Sequence, residues 1–214
     1  MIFKDRVDAG KQLAELLRPL KAKNPVVLGL PRGGVPVAYE VAKALKLPID
    51  VIIVRKLGVP SQPELAFGAI GENKTKYVNQ DIIAELGVSQ QIQVNVEAHE
   101  SEEIRKRASR FRQNRKPIDI QNRTVIIVDD GIATGATIFV ACLVAKGRGA
   151  REIIAAAPVA TRESLKKLST IADKCLVLDT PENFFAVGQW YEDFSTTTDE
   201  EVVRIMQEAP KYGD

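Results

Sequence analysis

The stretch Val125-Ile126-Ile127-Val128-Asp129-Asp130-Gly131-Ile132-Ala133-Thr134-Gly135-Ala136-Thr137 decides the fold. Four consecutive apolar residues suit a strand buried on both faces, as the central strands of a parallel sheet are. Two carboxylates follow at once, then a loop of small and hydroxyl residues that runs into a helical pattern. Gly131, Ala133, Gly135 and Ala136 let the backbone approach a ligand closely. Successive N–H groups leading into a helix cradle phosphate, and Thr134 and Thr137 add hydroxyl donors. Carboxylates do not bind phosphate directly, so Asp129 and Asp130 suit sugar hydroxyls or a hard cation such as Mg²⁺. A loop with both parts suits a phosphorylated sugar. The competing reading is a strand-end turn in which Asp130 caps the next helix, and it accounts for one residue rather than the whole pattern. No G-x-x-x-x-G-K-[ST] is present, so this is not a P-loop.

Working outward, apolar runs alternate with helical patterns. Val26 to Leu30 and Asp50 to Val54 read as buried strands, with a helix from Val35 to Leu47 between them. Beyond the central stretch come a helix from Thr137 to Lys146, a strand from Glu152 to Val159, a helix from Arg162 to Ile171 and a strand from Lys174 to Leu178. A final helix runs from Asp199 to Glu208 behind Thr198, a possible N-cap. Strands separated by helices imply parallel crossovers. The expected fold is a three-layer α/β/α domain over residues 1–214 with a mainly parallel central sheet. Residues 72–115 read as a mostly helical insertion and 180–214 as a C-terminal hood. Gly58, Pro60, Pro63, Gly68 and Gly71 make residues 55–75 look irregular.

In such sheets ligands bind outside the carboxyl ends of the strands. Two further strand ends therefore matter. Pro31-Arg32-Gly33-Gly34 follows the first strand: Arg32 suits phosphate oxygens, and Gly33 and Gly34 expose backbone N–H groups. Arg55 and Lys56 follow the second strand, and two cations there suit a diphosphate. Read plainly, these are a turn with a surface arginine and a pair of solvated charges.

The formal net charge of +2 gives no general attraction for nucleic acid. Arg105, Lys106, Arg107, Arg110, Arg112, Arg115 and Lys116 cluster, but Glu97, Glu100, Glu102 and Glu103 precede them, so (i, i+4) pairing on a solvated or subunit-facing helix explains most of the cluster. That helix, Ser89 to Arg112, has a thin apolar stripe of Ile92, Val96, Ile104, Ala108 and Phe111, as on a peripheral element or one that packs on a partner. His99 lies in it with no triad partner nearby. Cys142 and Cys175 read as small core residues of a reducing compartment. No apolar run approaches the ~20 residues of a membrane span, and Met1 to Arg6 is not a leader, so a cytoplasmic protein is expected.

Residues 125–137 closely resemble the diphosphoribosyl-binding motif of type I phosphoribosyltransferases. Gly131 is a departure, standing where the family usually has an aliphatic residue. The resemblance implies that Asp129 and Asp130 bind the ribose hydroxyls of 5-phosphoribosyl 1-diphosphate, directly or together with Mg²⁺. It implies that Ala133, Thr134, Gly135, Ala136 and Thr137 bind its 5-phosphate. Arg32, Gly33 and Gly34 then resemble the diphosphate loop, which in that family often holds a non-proline cis peptide. Arg55 and Lys56 share the diphosphate charge, and Gly58 to Gly71 takes the place of a mobile catalytic loop in which Gln62 and Glu64 are candidates.

Phe184, Phe185, Trp190, Tyr191 and Phe194 gather five of the chain's twelve aromatics, either as a base-stacking platform or as a core or dimer patch. Phe185-Ala186-Val187-Gly188 loosely resembles the base segment of hypoxanthine-guanine enzymes, with Phe185 stacking on the base. Ala133 stands where 6-oxopurine enzymes carry an acid, and Ala155 to Ala160 lacks their lysine, so the base stays open. The reading implied is transfer of a phosphoribosyl group to a nitrogenous base by a homodimer. Its rivals are a non-catalytic sensor of the same ligand and a hydrolase.

Overall fold

Five of the apolar runs pair into one parallel sheet in the computed structural model of the chain. The structure describes residues 1–60, 62–113 and 115–209, without the side chains of residues 62–64. The strands are β1 (Val26–Gly29), β2 (Ile49–Val51), β3 (Val54–Val59), β4 (Gln62–Gly71), β5 (Lys76–Val78), β6 (Thr124–Val128), β7 (Glu152–Val159) and β8 (Lys174–Asp179). The parallel sheet has the order β2-β1-β6-β7-β8.

Alternation along these strands builds two cores. Val26, Leu28, Val125, Ile127, Ile153 and Ala155 face α5 (Ala136–Gly147) and α6 (Arg162–Leu168). Val27, Ile126, Val128, Ile154 and Ala156 face α1 (Arg6–Leu17) and α2 (Gly34–Leu45). The result is the three-layer α/β/α arrangement that the sequence implies. Each fully buried Val, Leu or Ile contributes about 1.5–3 kcal/mol, so both faces of the sheet must be covered.

The chain leaves β1 for β2 on one side and later enters β6 on the other. The β1–β6 junction is therefore the topological switch point, where open α/β sheets bind ligands. Register sets what meets there: Gly29 pairs with Val128, so the turn after β1 lies beside the acids after β6.

Residues 55–71 depart from the irregular loop expected of them. β3 and β4 form an antiparallel hairpin, extended by β5 into a second sheet. The register shifts at Leu57, Gly58 and Val59. Glycine in a strand often marks such a bulge rather than a break. Leu57, Val59, Phe67 and Ile70 form the hairpin's buried side.

That side packs under α3 (Gln80–Leu86), α4 (Gln90–Arg112) and α7 (Asp199–Glu208). Ser89 caps α4 through Ile92 N–H at 3.3 Å, and Thr198 caps α7 through Glu201 N–H at 3.1 Å, as their positions predict. The stripe of Ile92, Val96, Ile104, Ala108 and Phe111 lies on the chain's own hairpin and α7, which removes it as an argument for a partner.

The basic run on α4 also differs from its solvated reading. Arg105 and Lys106 pair with Glu102 and Glu103 at (i, i+3). Arg112 is buried: its Nε donates to Asp50 at 2.7 Å, and its other nitrogens donate to Val51 O and Glu72. Among the described residues no helix is long and apolar enough to cross a membrane.

Candidate active site

Asp129 and Asp130 end β6 at the switch point. Desolvation by burial raises the Asp129 carboxyl well above its ordinary range, and the charge of Asp130 adds to this. Asp130 is raised too, first by burial, with the Arg6 guanidinium opposing the shift. Two adjacent carboxylates so placed favour a cation or hydroxyl donors as company. The Asp130 N–H donates to Asp129 Oδ1 at 2.9 Å, which turns the loop sharply.

The turn after β1 touches this pair. A Cβ on Gly33 would collide with Asp130 Oδ2, and one on Gly34 would stand 2.5 Å from Val128 O. At Gly34 the obstacle is backbone, so only glycine fits; at Gly33 a side chain would push the Asp130 carboxylate aside. The Pro31–Arg32 peptide is cis, as the resemblance implies. The two loops expected to hold ribose and diphosphate thus meet.

Ile132 to Thr137 forms a small cradle. A bridge from Ile132 to Ala160 fixes its start, and Thr161 Oγ1 donates to Ala133 O at 2.9 Å. Gly135, at φ +71°, turns the chain into α5, whose first-turn N–H groups have no partner within the helix. Ala133, Thr134 and Thr137 are exposed. The cavity over this loop measures about 160 Å³, with Asp129 on one side and Val187 on the other. Val187 accounts for the departure at Gly131, where a Cβ would collide with Val187 Cγ1. The hood occupies the space an aliphatic residue would fill.

The other expected residues sit further out. Arg32 Nη1 lies 3.8 Å from Asp199 Oδ1 on α7, and its side chain is 47% exposed. Arg55 Nε bonds Glu100 Oε2 at 2.6 Å. Arg55 and Lys56 share with Thr137 a cleft of about 680 Å³ between the hairpin, α4 and α5. His99 lines the same cleft, with Nδ1 3.3 Å from Glu100 Oε1. Phe185 is 88% exposed, its N–H held by Gln189 Oε1 at 2.9 Å. Gln62 and Glu64 lie outside the described side chains.

Sequence reasoning missed Arg6. Its Nε donates to Asp130 Oδ2 at 2.8 Å and its Nη1 to Ser195 O at 2.7 Å. No spacing marks it, because 124 residues separate the partners. Tyr191 Oη donates to Asp130 O at 2.6 Å, and Phe3 N–H to Trp190 O at 2.8 Å, so the N-terminus and hood close over the acids together.

Residues 5–194 match the phosphoribosyl transferase domain family. The chain belongs to that family. It is 49% identical over 208 residues to proteins of Mycobacterium tuberculosis strains H37Rv and CDC 1551, provisionally named phosphoribosyl transferases. That alignment covers 97% of this chain but 47% of theirs, so the chain spans about half the length of those relatives. The crystal structure of TT1426 from Thermus thermophilus is similar at a TM-score of 0.88 and 42% identity, over 98% of this chain and 99% of that one. The phosphoribosyl transferase family match and the fold therefore extend over nearly the whole chain.

Proposed function

We propose that this chain binds 5-phosphoribosyl 1-diphosphate with Mg²⁺ and transfers the phosphoribosyl group to a nitrogenous base, releasing diphosphate. One observation carries the reading: Gly33 and Gly34 press against Asp130, Val128 and Asp129, so a phosphate cradle, an acid pair and a second N–H-rich turn share one junction. A sugar bearing phosphate at one end and diphosphate at the other suits that order.

Mg²⁺ fits the chemistry of the donor set. Asp129 and Asp130 are hard oxygen ligands whose burial favours a nearby cation, and Mg²⁺ is commonly held by one or two carboxylates plus substrate oxygens. When bound, it supplies charge neutralisation for a diphosphate leaving group. The acid pair accepts from ribose hydroxyls and stabilises positive charge developing at C1. Residues 133–137 hold the 5-phosphate through N–H and hydroxyl donors. Lys56, and Arg32 and Arg55 once they leave their carboxylate partners, supply positive charge to the diphosphate in this reading. The acceptor nitrogen bonds C1 as the C1–O bond breaks, the electron pair leaves with diphosphate, and the acceptor nitrogen loses its proton to solvent. In this reading the exposed Phe185 ring stacks on the base. A homodimer is part of the proposal, and light scattering tests it.

The test is diphosphate release from 5-phosphoribosyl 1-diphosphate and Mg²⁺ with each common base. Asp130→Asn is expected to lose turnover or donor affinity by about a hundredfold or more, the scale of a lost electrostatic stabiliser. Unchanged kinetics in that variant rule the mechanism out. The carboxylate pairing of Arg32 and Arg55 favours one rival, a sensor that binds without turnover. Calorimetric binding with no diphosphate release from any base identifies it.

A further inference from the structure

We propose that Arg6 is a positioning residue of the donor site, holding the Asp130 carboxylate at the meeting point of the two loops. The inference rests on the donor-binding reading of that junction. Arg6 lies under the hood: its Cζ is 4.0 Å from the Phe194 ring centroid and 6.0 Å from that of Tyr191. A planar guanidinium stacked this way donates from its edges without freedom to swing. One edge meets Asp130 Oδ2 and another Ser195 O. The same Nε stands 3.2 Å from where a Gly33 Cβ would be, so Arg6 closes the gap between diphosphate turn and acid pair. Both side chains are largely buried, at 12% and 14% exposure.

The contact is more than an anchor for the N-terminus. α1 is already fixed by burial of Leu13, Ala14 and Leu17 and by the Asp5 cap on Asp8 N–H. The preceding segment is fixed by the Phe3 bonds to Trp190 and Glu192. The guanidinium is superfluous to those ties, yet it is the arginine bonded to the acid pair. Arg32 and Arg55 face Asp199 and Glu100 instead.

The two acids are thereby made unequal. Asp130 is held at Oδ2 by Arg6, while its carbonyl is held by Tyr191. Asp129 receives only the Asp130 N–H among the described hydrogen bonds. Asp129 is left to ligand oxygens or a cation, and Asp130 presents one oriented oxygen.

The experiment is calorimetric titration of the folded chain with 5-phosphoribosyl 1-diphosphate and Mg²⁺. Arg6→Gln is expected to weaken binding about ten- to a hundredfold, the scale of a charge-assisted hydrogen bond. Arg6→Lys is expected to recover part of that loss. Arg6→Gln combined with Asp130→Asn should bind no more weakly than Asp130→Asn alone, because the arginine acts through that carboxylate. Wild-type affinity in Arg6→Gln, or losses that multiply in the double variant, overturn the proposal. If Arg6→Gln does not fold by circular dichroism, Phe194→Leu removes the ring under the guanidinium, and unchanged affinity there overturns it equally. A wild-type chain that binds no donor sinks the donor reading itself, whereas wild-type binding with an indifferent Arg6→Gln sinks only this inference.

Discussion

The loop after β6 and the hairpin after β2 both follow the carboxyl ends of parallel strands in one sheet, but they are held by different forces. Close packing fixes the β6 loop: glycines against acids, Val187 against Gly131, and a bridge to Ala160. The hairpin and its covering helix α4 share an apolar patch, and a buried charge cluster ties them to the main sheet. Arg112 at the end of α4 bonds Asp50 on β2 and Glu72 beyond β4, and Asp50 also accepts from Ile118 N–H at 3.0 Å. Packed backbone tolerates almost no displacement, whereas a charge cluster holds fully or leaves an uncompensated ion. The region expected to bind ribose and 5-phosphate is therefore held by packed backbone, and the region beside the large cleft by an apolar patch together with one buried guanidinium.

The largest expected effect breaks that tie. Arg112→Leu leaves the buried Asp50 and the largely buried Glu72 without their cation, and removing one member of a buried ion group typically costs about 3–5 kcal/mol. The melting temperature should fall by roughly 10 °C, given about 2–4 °C per kcal/mol at this chain length. Adding Asp50→Asn and Glu72→Gln to Arg112→Leu should return much of the loss, since the stranded charges go with the arginine. A melting temperature within 2 °C or so of wild type in Arg112→Leu alone would show that the apolar patch, not the cluster, secures the hairpin.

A smaller effect tests the packed side. Gly34→Ala forces a Cβ to within 2.5 Å of Val128 O and 2.8 Å of Asp129 Cα, both backbone atoms that cannot turn aside. Overpacking of this kind costs about 1–3 kcal/mol. The larger consequence is displacement of the diphosphate turn from the acid pair, read as loss of 5-phosphoribosyl 1-diphosphate binding by calorimetry. Retained affinity would mean that the two loops need not touch to bind the donor.

These two regions also differ in how far sequence reveals them. The β6 loop was legible because its chemistry is local: strand, acids, cradle and helix follow within thirteen residues. Its neighbour at Arg32 to Gly34 was legible as a second strand end, and register then joined the two. The hairpin was not legible, because Gly58, Gly68 and Gly71 read as breaks when they lie within paired strands. Arg112 was hidden in a run of basic residues, where nothing in spacing separates a buried arginine from a solvated one. Arg6 was hidden by distance along the chain. The glycine at position 131 could be noticed as a departure, but its cause is Val187, fifty-six positions on, and only packing connects them.

The smallest effect separates binding from stability at the acid pair. Burial and the charge of Asp130 raise the Asp129 carboxyl in the folded chain above its unfolded value of about 3.9. Between those two values the folded form holds a proton that the unfolded form has released, so stability falls as pH rises through that window. Above the folded value the whole penalty is present; below the unfolded value it is absent. Asp129→Asn carries no such penalty. It should melt a few degrees above wild type at pH 7, and the difference should vanish as pH falls below about 4. Ligand should reverse the order. Donor at a hundred times its Kd stabilises wild type by about 2.7 kcal/mol, and a variant lacking the ligand-facing acid gains little from the same concentration. Without ligand the variant is the more stable protein, and with 5-phosphoribosyl 1-diphosphate and Mg²⁺ it is the less stable one. Failure of the first comparison would mean that the acid pair is already neutralised within the chain, with Arg6 as the cation responsible.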